Sequence, residues 1–277
     1  MRRLNKTIGF VGCGNMGSAI LSGLLRNHIA QPKQIFVYDS ARSKLESVSR
    51  KFRVNPTKSN VDLIHRAQII LLAVKPQDLS FVAREMRDVL RSGQTVISIL
   101  AGMPIPKLKR SFGNHVVVVR AMPNLGAQVG EAVTALTGSN KSALRLAETI
   151  FLGCGKTIRL PEKYFDLVTA VSGSGPAYFF LMMELLAQVA RRGGISEKSA
   201  RTLAVQTALG AGKLSQASPY SPETLRKMVT SKKGTTEAAL KMLERKEFGK
   251  IFHLGLHAAA RRSRELRKTG QRMTENG

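Results

Sequence analysis

The chain has 277 residues, 43% of them hydrophobic, which is enough for one large domain or two ordinary ones with buried cores. Its two cysteines, Cys13 and Cys154, form no C-x-x-C pair, which argues against a disulfide-stapled secreted domain and favours a reducing compartment. The basic N-terminus leads into an apolar run too short for a signal peptide, and no segment approaches the ~20 apolar residues of a membrane span. We therefore predict a soluble, cytoplasmic protein without membrane contact.

The charge balance is strongly basic. Lysine and arginine number 44 against 18 acidic residues, a formal net charge of +26. Such an excess is compatible with a nucleic-acid partner. However, it is spread over both halves of the chain, and aromatic side chains for base stacking are scarce near the densest basic patch, at 261–268. We interpret the charge as a solvated surface and predict no nucleic-acid partner.

The first half of the sequence alternates strand-like and helical patterns. Residues 7–11 predict a strand that leads directly into a glycine turn, and residues 15–27 repeat apolar side chains at helical spacing. Further strands are predicted at 35–38, 69–74, 95–99 and 116–119. Continuous apolar runs are typical of strands buried on both faces, so the pattern predicts an α/β fold with a Rossmann-type, doubly wound parallel sheet.

Near residue 160 the pattern changes. β-branched runs largely disappear and long helical patterns take over, stopped by Gly193-Gly194 and before Pro219. Helices are predicted at 179–192, 196–216, 235–245 and 247–268. We therefore predict two domains, an α/β domain at 1–160 and an all-helical domain at 161–277.

The first turn reads Gly12-Cys13-Gly14-Asn15-Met16-Gly17, a G-x-G-x-x-G pattern. It is a weak signal alone, but here a strand precedes it, a helix follows it, and Asp39 ends the second strand about 20 residues on. Gly12 permits the tight turn, Gly14 lets the backbone approach a pyrophosphate, and Gly17 allows close helix–strand packing. The helix N-terminus adds free N–H groups for the anion. The turn therefore predicts a nicotinamide dinucleotide site.

The choice between NAD and NADP stays open in the sequence. Asp39 favours the 2′-hydroxyl of NAD. Ser40, Arg42 and Lys44 follow at once and could hold the 2′-phosphate of NADP. The basic surroundings favour NADP.

Four further motifs follow in order. They are Ala73-Val74-Lys75-Pro76, Arg120-Ala121-Met122-Pro123-Asn124, Ser172-Gly173-Ser174-Gly175-Pro176-Ala177-Tyr178 and Gly234-Thr235-Thr236. Together with the glycine turn they resemble the pyrroline-5-carboxylate reductase family, from the first strand to about residue 268. The resemblance implies hydride transfer from NAD(P)H to the imine carbon of 1-pyrroline-5-carboxylate, giving L-proline in the last step of proline biosynthesis. It also implies a helical domain that dimerises, a substrate site where two chains meet, and in many members a ring of dimers.

The resemblance also assigns site residues. Its cofactor contacts fall on Gly12, Cys13, Gly14, Asn15, Met16, Gly17, Asp39, Ser40, Arg42, Asn60, Ala73, Val74, Lys75, Pro76, Ala101 and Gly102. Its substrate contacts fall on Glu162, Gly234, Thr235 and Thr236.

These residue types suit the chemistry of a cyclic imine, which needs a hydrogen bond or proton at its ring nitrogen and an anchor for its carboxylate. Backbone N–H groups of 234–236, at a predicted helix N-terminus, could bind the carboxylate, and the Thr236 hydroxyl is the candidate at the ring nitrogen. The alternative is that the two threonines only cap the helix and that Glu162 only stabilises a first helical turn.

The sequence departs from the family before Gly234. The family usually has Ser-Pro-Gly-Gly-Thr-Thr, where this chain has Ser231-Lys232-Lys233-Gly234-Thr235-Thr236. Lys232 removes a fixed φ, and Lys233 is difficult if its position requires a positive φ. A reductase of a more acidic cyclic imine, a diverged member with weak activity and a cofactor-binding regulatory paralogue therefore remain as alternatives.

Two other readings are weaker. A β-hydroxyacid dehydrogenase shares the two-domain plan, but it would need a lysine one helical turn past Gly173-Ser174-Gly175, where none occurs. His253 and His257 stand at i and i+4 without a third ligand between them, so we predict no metal site.

Overall fold

The computed structural model describes residues 3–272 and has two compact units. One consists of Met1–Gly173 together with Ala259–Gly277, and the other of Ser174–Ala258. The sequence-based division at residue 160 stays a prediction.

The first unit is built on an eight-stranded sheet. Its strands are β1 (Ile8–Val11), β2 (Ile35–Tyr38), β3 (Asn55–Pro56), β4 (Ile69–Leu72), β5 (Thr95–Ser98), β6 (Val117–Met122), β7 (Ala132–Thr137) and β8 (Gly155–Arg159). Their spatial order is β3-β2-β1-β4-β5-β6-β7-β8, and every neighbouring pair is parallel except β6 with β7. The predicted doubly wound sheet is confirmed, with one antiparallel step that the sequence analysis did not anticipate.

Helices cover both faces of this sheet. They are α1 (Asn15–Arg26), α2 (Arg42–Phe52), α3 (Asn60–Arg66), α4 (Leu79–Met86), α5 (Ile105–Phe112), α6 (Lys141–Leu152) and α7 (Phe165–Val168). Successive side chains of β4 enter opposite cores: Ile69 and Leu71 pack into one, and Ile70 and Leu72 into the other. This two-sided burial explains why the strand is a continuous apolar run.

The second unit is helical. It contains α8 (Gly175–Arg192), α9 (Glu197–Ala217), α10 (Pro222–Met228), α11 (Thr235–Arg245) and the first part of α12 (Phe248–Arg272). The predicted helices are confirmed, and α8 begins four residues earlier than predicted because Pro176 is accommodated in its first turn. Many large apolar side chains of α8 and α9 are exposed in the single chain, so this unit presents apolar surface that another protein surface would cover.

One segment has the length and composition of a membrane span. Within the helical segment Glu162–Arg192 of the described residues, an 18-residue window has a mean hydropathy of 1.2, so the prediction that no segment approaches that limit is wrong. The prediction counted uninterrupted apolar residues, and the small polar residues around Ser172 interrupt this run without lowering its mean hydropathy enough. A single helix of this kind is weak evidence for membrane insertion, because helices that pack against protein meet the same criterion.

Candidate active site

The glycine turn lies at the carboxyl edge of the sheet, where β1 and β4 are neighbours and the strand order reverses. This is the position at which doubly wound sheets bind ligands. Gly12 has a φ of +99°, and a Cβ there would lie 2.7 Å from the carbonyl oxygen of Ala73. A Cβ on Gly17 would lie 2.6 Å from the carbonyl oxygen of Gly12. Both positions therefore require glycine for the fold itself.

Gly14 differs from these two glycines. A Cβ on Gly14 would have nothing within 4 Å, so this position faces open space. Gly14 is also the N-cap residue of α1, which has no side-chain cap and no acidic residue in its first turn. The N-terminal N–H groups of α1 are thus left for an anion, and the missing side chain leaves room for it.

A cavity of about 500 Å³ opens beside this turn, within the usual size range of ligand pockets. It brings together eight of the residues predicted to bind the cofactor: Gly12, Gly14, Asp39, Ser40, Asn60, Ala73, Val74 and Lys75. A smaller cavity shares Gly14 and Lys75 with it and adds Cys13, Asn15 and Met16. Of the other predicted residues, Gly17 packs beneath the turn, Pro76 starts a short 3₁₀ turn, and Ala101-Gly102 follow β5.

Asp39 has a structural role that the sequence analysis missed. Its Oδ2 accepts a hydrogen bond from the Cys13 N–H at 2.8 Å, and its Oδ1 accepts one from the Ala41 N–H at 2.9 Å. The carboxylate therefore ties the glycine turn to the turn between β2 and α2. Its contact with a ribose stays a prediction.

The basic residues after Asp39 occupy different places. Lys44 lines the main cavity and two smaller ones beside it. Arg42 is the first residue of α2, where its exposed guanidinium pairs with Glu46 at 2.9 Å. Of the two basic residues that follow Asp39, Lys44 is thus the one that lines the cavity.

Asn60 is buried, and its Nδ2 donates a hydrogen bond to Glu85 Oε2 at 2.6 Å. Glu85 lines the same cavity, as do Gln77 and Phe81 from the segment after β4. These three residues were not among those predicted from the sequence. The available signal was their place in the helical segment after Lys75-Pro76, since such a segment starts at the same sheet edge as the glycine turn.

Glu162 lies in a different part of the first unit. Its Oε1 accepts hydrogen bonds from the Ile105 N–H at 2.8 Å and from Arg120 Nη1 at 3.2 Å. Ile105 is the first residue of α5, so the carboxylate sits at a helix N-terminus. The partner Arg120, from β6, is 2% exposed.

The Gly234–Thr236 segment belongs to the second unit. Gly234 is the N-cap residue of α11, which begins at Thr235, so neither threonine is the N-cap. Glu237 Oε2 accepts a hydrogen bond from the Lys233 N–H at 2.9 Å. This hydrogen bond, assisted by Lys241, lowers the pKa of the Glu237 carboxyl, so the side chain is ionised at the start of the helix.

Lys233 has a φ of +60°, in the left-handed region that favours glycine. We expect Lys233→Gly to raise the free energy of unfolding by about 0.5–1 kcal/mol, because it relieves the steric cost of the left-handed conformation and loses part of that gain to backbone entropy. Urea denaturation measures the change. The matched control is Lys232→Gly, whose φ is not positive; it should not stabilise the protein, and an equal gain there would contradict the strain argument.

Both thiols are buried. Burial, with the nearby Asp39 carboxylate, raises the pKa of Cys13 to about 12, and burial raises that of Cys154 to about 11. Neutral thiols are poor nucleophiles. We therefore expect neither thiol of the native protein to react with a disulfide reagent at pH 8. Both thiols should react in the guanidinium-unfolded chain. Rapid labelling of the native protein would contradict this.

The same pKa shifts have a consequence at alkaline pH. The unfolded thiols lose their protons near the ordinary value of 9.0, before the folded ones do. The contribution of these two thiols to the free energy of unfolding is therefore complete below pH 9.0. It decreases as the pH rises toward 11 to 12.

A doubly wound sheet with this turn and cavity defines a Rossmann-type fold with a candidate dinucleotide site. Residues 7–102 match the family model described as NADP oxidoreductase, coenzyme F420-dependent, and residues 162–266 match the model described as pyrroline-5-carboxylate reductase dimerisation. The pyrroline-5-carboxylate reductase of Methanosarcina acetivorans is 37% identical over 95% of this chain and 99% of its own. That of Pseudomonas aeruginosa is 35% identical over 94% and 96%.

Solved structures agree. A pyrroline-5-carboxylate reductase from Coxiella burnetii has a TM-score of 0.89 and 35% identity, covering 95% of this chain and 99% of its own. The Plasmodium falciparum pyrroline carboxylate reductase, solved with NADP bound, has a TM-score of 0.86 and 29% identity over 96% and 99%. The chain belongs to the pyrroline-5-carboxylate reductase family.

Proposed function

We propose that this protein reduces 1-pyrroline-5-carboxylate to L-proline with hydride from a nicotinamide dinucleotide. The observation that carries the proposal is the full-length similarity to proteins named for this activity, at 34–37% identity over at least 94% of the chain. The glycine turn and its cavity supply a matching cofactor site in the structure.

The residues present fit a dinucleotide. Gly14 leaves open space at the N-terminus of α1, and the carboxylate of Asp39 holds the turn around it. Backbone N–H groups at the start of α1 would bind the pyrophosphate, with Lys75 at the same cavity. When bound, the reduced nicotinamide supplies the hydride.

NADPH is the preferred donor in this proposal. Lys44 lines the main cavity, and both carboxylate oxygens of Asp39 already accept backbone hydrogen bonds. A 2′-phosphate would gain a charge-assisted contact with Lys44, assisted by Ser40 and Arg42. The family resemblance adds the other contacts, Pro76 and the Ala101-Gly102 turn among them.

At the substrate, this chain's own residues bind and orient the imine. The N–H groups of Gly234, Thr235 and Thr236, at the start of α11, would hold the substrate carboxylate, as an anion at a helix N-terminus is stabilised. The Thr236 hydroxyl would hydrogen-bond the ring nitrogen. Glu162, one oxygen of which is fixed by Ile105 and Arg120, would contact the substrate with the other.

The chain carries the family's dimerisation domain, and we propose a homodimer through it, assembled further into a ring of dimers. The exposed apolar side chains of α8 and α9 support an interface there. The start of the dimerisation model at residue 162 supports the division into domains at 1–160 and 161–277. We propose a cytoplasmic location, as expected for a soluble biosynthetic enzyme.

The test is an oxidation assay of purified protein with 1-pyrroline-5-carboxylate, run in parallel with NADPH and NADH. We expect turnover with both and a higher kcat/KM with NADPH. Lys44→Ala should lower kcat/KM for NADPH and leave that for NADH within twofold. Absence of oxidation with both cofactors would refute the reductase assignment.

One observation favours a second candidate, a more acidic cyclic imine. Lys233 occupies a positive φ where glycine would be less strained, so two ammonium groups precede Gly234 at a conformational cost. A second substrate carboxylate would pair with them. A Lys232→Pro/Lys233→Gly variant tests this: it should favour 1-pyrroline-5-carboxylate over a dicarboxylate imine more than the natural protein does.

A further inference from the structure

Arg120 is the largest side chain that is almost fully buried in the described part of the chain. A guanidinium keeps its charge in proteins, and burial of a charge is costly unless the charge is fully paired. The pairing here is partial. Its Nη1 donates to Glu162 Oε1, while its Nε and Nη2 have no hydrogen-bond acceptor among residues 3–272.

The surroundings hold the guanidinium in one place. It lies over the ring of Phe165 with 4.7 Å between the guanidinium carbon and the ring centroid. The buried Asp166 contributes favourable electrostatics, and that carboxylate is itself held by Ser263 Oγ at 2.8 Å and by Arg267 Nη2 at 3.3 Å. Arg120 therefore packs against an aromatic ring, and its charge is stabilised at longer range by Asp166 and opposed by Arg267.

A contribution to the stability of the fold is a poor explanation for this buried ion pair. Replacement of a buried ion pair by apolar side chains is often neutral or stabilising. What Arg120 does determine is the orientation of Glu162. Two donors from different elements, the N–H that starts α5 and the guanidinium from β6, converge on Oε1. Oε2 accepts no hydrogen bond from any residue in the described range, and Glu162 remains 27% exposed.

We propose that Arg120 is a positioning residue for substrate binding: it fixes Oε1 of Glu162 so that Oε2 stays oriented and available to the cyclic imine. The inference rests on the proposed function only in that Glu162 contacts the substrate. It assigns no contact between Arg120 and the substrate, because the buried guanidinium nitrogens are shielded from it.

The test compares Arg120→Met, Arg120→Lys, Glu162→Gln and the Arg120→Met/Glu162→Gln double variant. We measure KM for 1-pyrroline-5-carboxylate, the Kd of NADPH, and the Kd of L-proline with NADP present. We expect Arg120→Met to raise the imine KM and the proline Kd at least tenfold and to leave the NADPH Kd within twofold. Arg120→Lys should recover part of the loss, because the charge is restored and the fork geometry is not.

The double variant separates positioning from independent effects. If Arg120 acts through Glu162, the double variant should bind no worse than the weaker-binding single variant. The matched control is Arg159→Met, which breaks another Arg–Glu ion pair of the first unit, with Glu148, and should change neither affinity.

The outcomes are distinct. The proposal is overturned if Arg120→Met binds imine and proline like the natural protein, if the losses multiply in the double variant, or if NADPH affinity falls equally. If Arg120→Met does not fold, unchanged affinities in Arg120→Lys overturn it. Proline binding that depends on Arg120 without turnover would refute the proposed reaction alone, whereas normal turnover insensitive to Arg120 would refute the positioning role alone.

Discussion

Replacement of Gly14 by alanine is expected to leave the fold intact and to weaken NADPH binding at least tenfold. Gly14 has a φ of −67° and a ψ of −175°, which alanine adopts without strain, and the new Cβ would meet nothing within 4 Å. The methyl group would instead occupy the space in which the backbone must approach the pyrophosphate. Titration of intrinsic or NADPH fluorescence gives the Kd, and urea denaturation should give a free energy of unfolding within about 1 kcal/mol of the natural protein's.

The contrast variant is Gly12→Ala. Here φ is +99° and the added Cβ would lie 2.7 Å from a backbone oxygen, so both folding and cofactor binding should suffer. We expect a loss of about 2 kcal/mol or more in the free energy of unfolding. Equal destabilisation by the two substitutions, or undiminished NADPH affinity in Gly14→Ala, would contradict the anion-binding role proposed for this turn.

The second large effect concerns Thr236. Thr236→Val keeps the side-chain shape and removes the hydroxyl, so kcat for 1-pyrroline-5-carboxylate should fall about 100-fold, the usual order for a lost proton-transfer or hydrogen-bonding partner. NADPH affinity should not change, because the cavity proposed for the cofactor is lined only by residues of the first unit. Steady-state kinetics and a separate NADPH titration measure the two quantities.

Two further variants complete this experiment. Thr236→Ser retains a hydroxyl and should recover most of the activity. Thr202→Val removes a hydroxyl that donates to the Lys198 carbonyl within α9, and it should be kinetically silent. A Thr236→Val enzyme with kcat within threefold of the natural one would exclude the assigned role.

Much of the fold follows from the sequence because each central strand is buried on both faces. The run of four apolar residues in β4 predicts a buried strand without any knowledge of the neighbouring strands. The edge strand β8 is different: its residues are half-buried or exposed, and Lys156 and Arg159 interrupt any apolar pattern. The antiparallel step from β6 to β7 depends on a reversal of the chain through residues 123–131, which no periodicity predicts.

The candidate site, too, has parts that can be predicted from the sequence and parts that cannot. The glycine turn can be predicted because its function depends on local backbone conformation. Whether Lys233 has a positive φ stayed open in the sequence, and the structure shows that it does. The distant partners of Asp39 and Glu162 could not be predicted. They include a backbone N–H 26 residues away and an arginine 42 residues away, and such contacts arise only when the sheet is assembled. In the sequence, Arg120 is a charged residue that follows an apolar run, and nothing in that pattern predicts its burial.

The helix α12 has a consequence for the order in which the chain can mature. Its residues from Ala259 onward belong to the first unit, where Ala260 and Ser263 are buried and Ser263 holds Asp166. During synthesis, the first 173 residues leave the ribosome long before these partners do. The first unit therefore cannot be completed, and Asp166 cannot form its hydrogen bond with Ser263, until the second unit has been synthesised. A fragment ending at Gly173 should consequently be less stable and more prone to aggregation than its complete sheet would indicate.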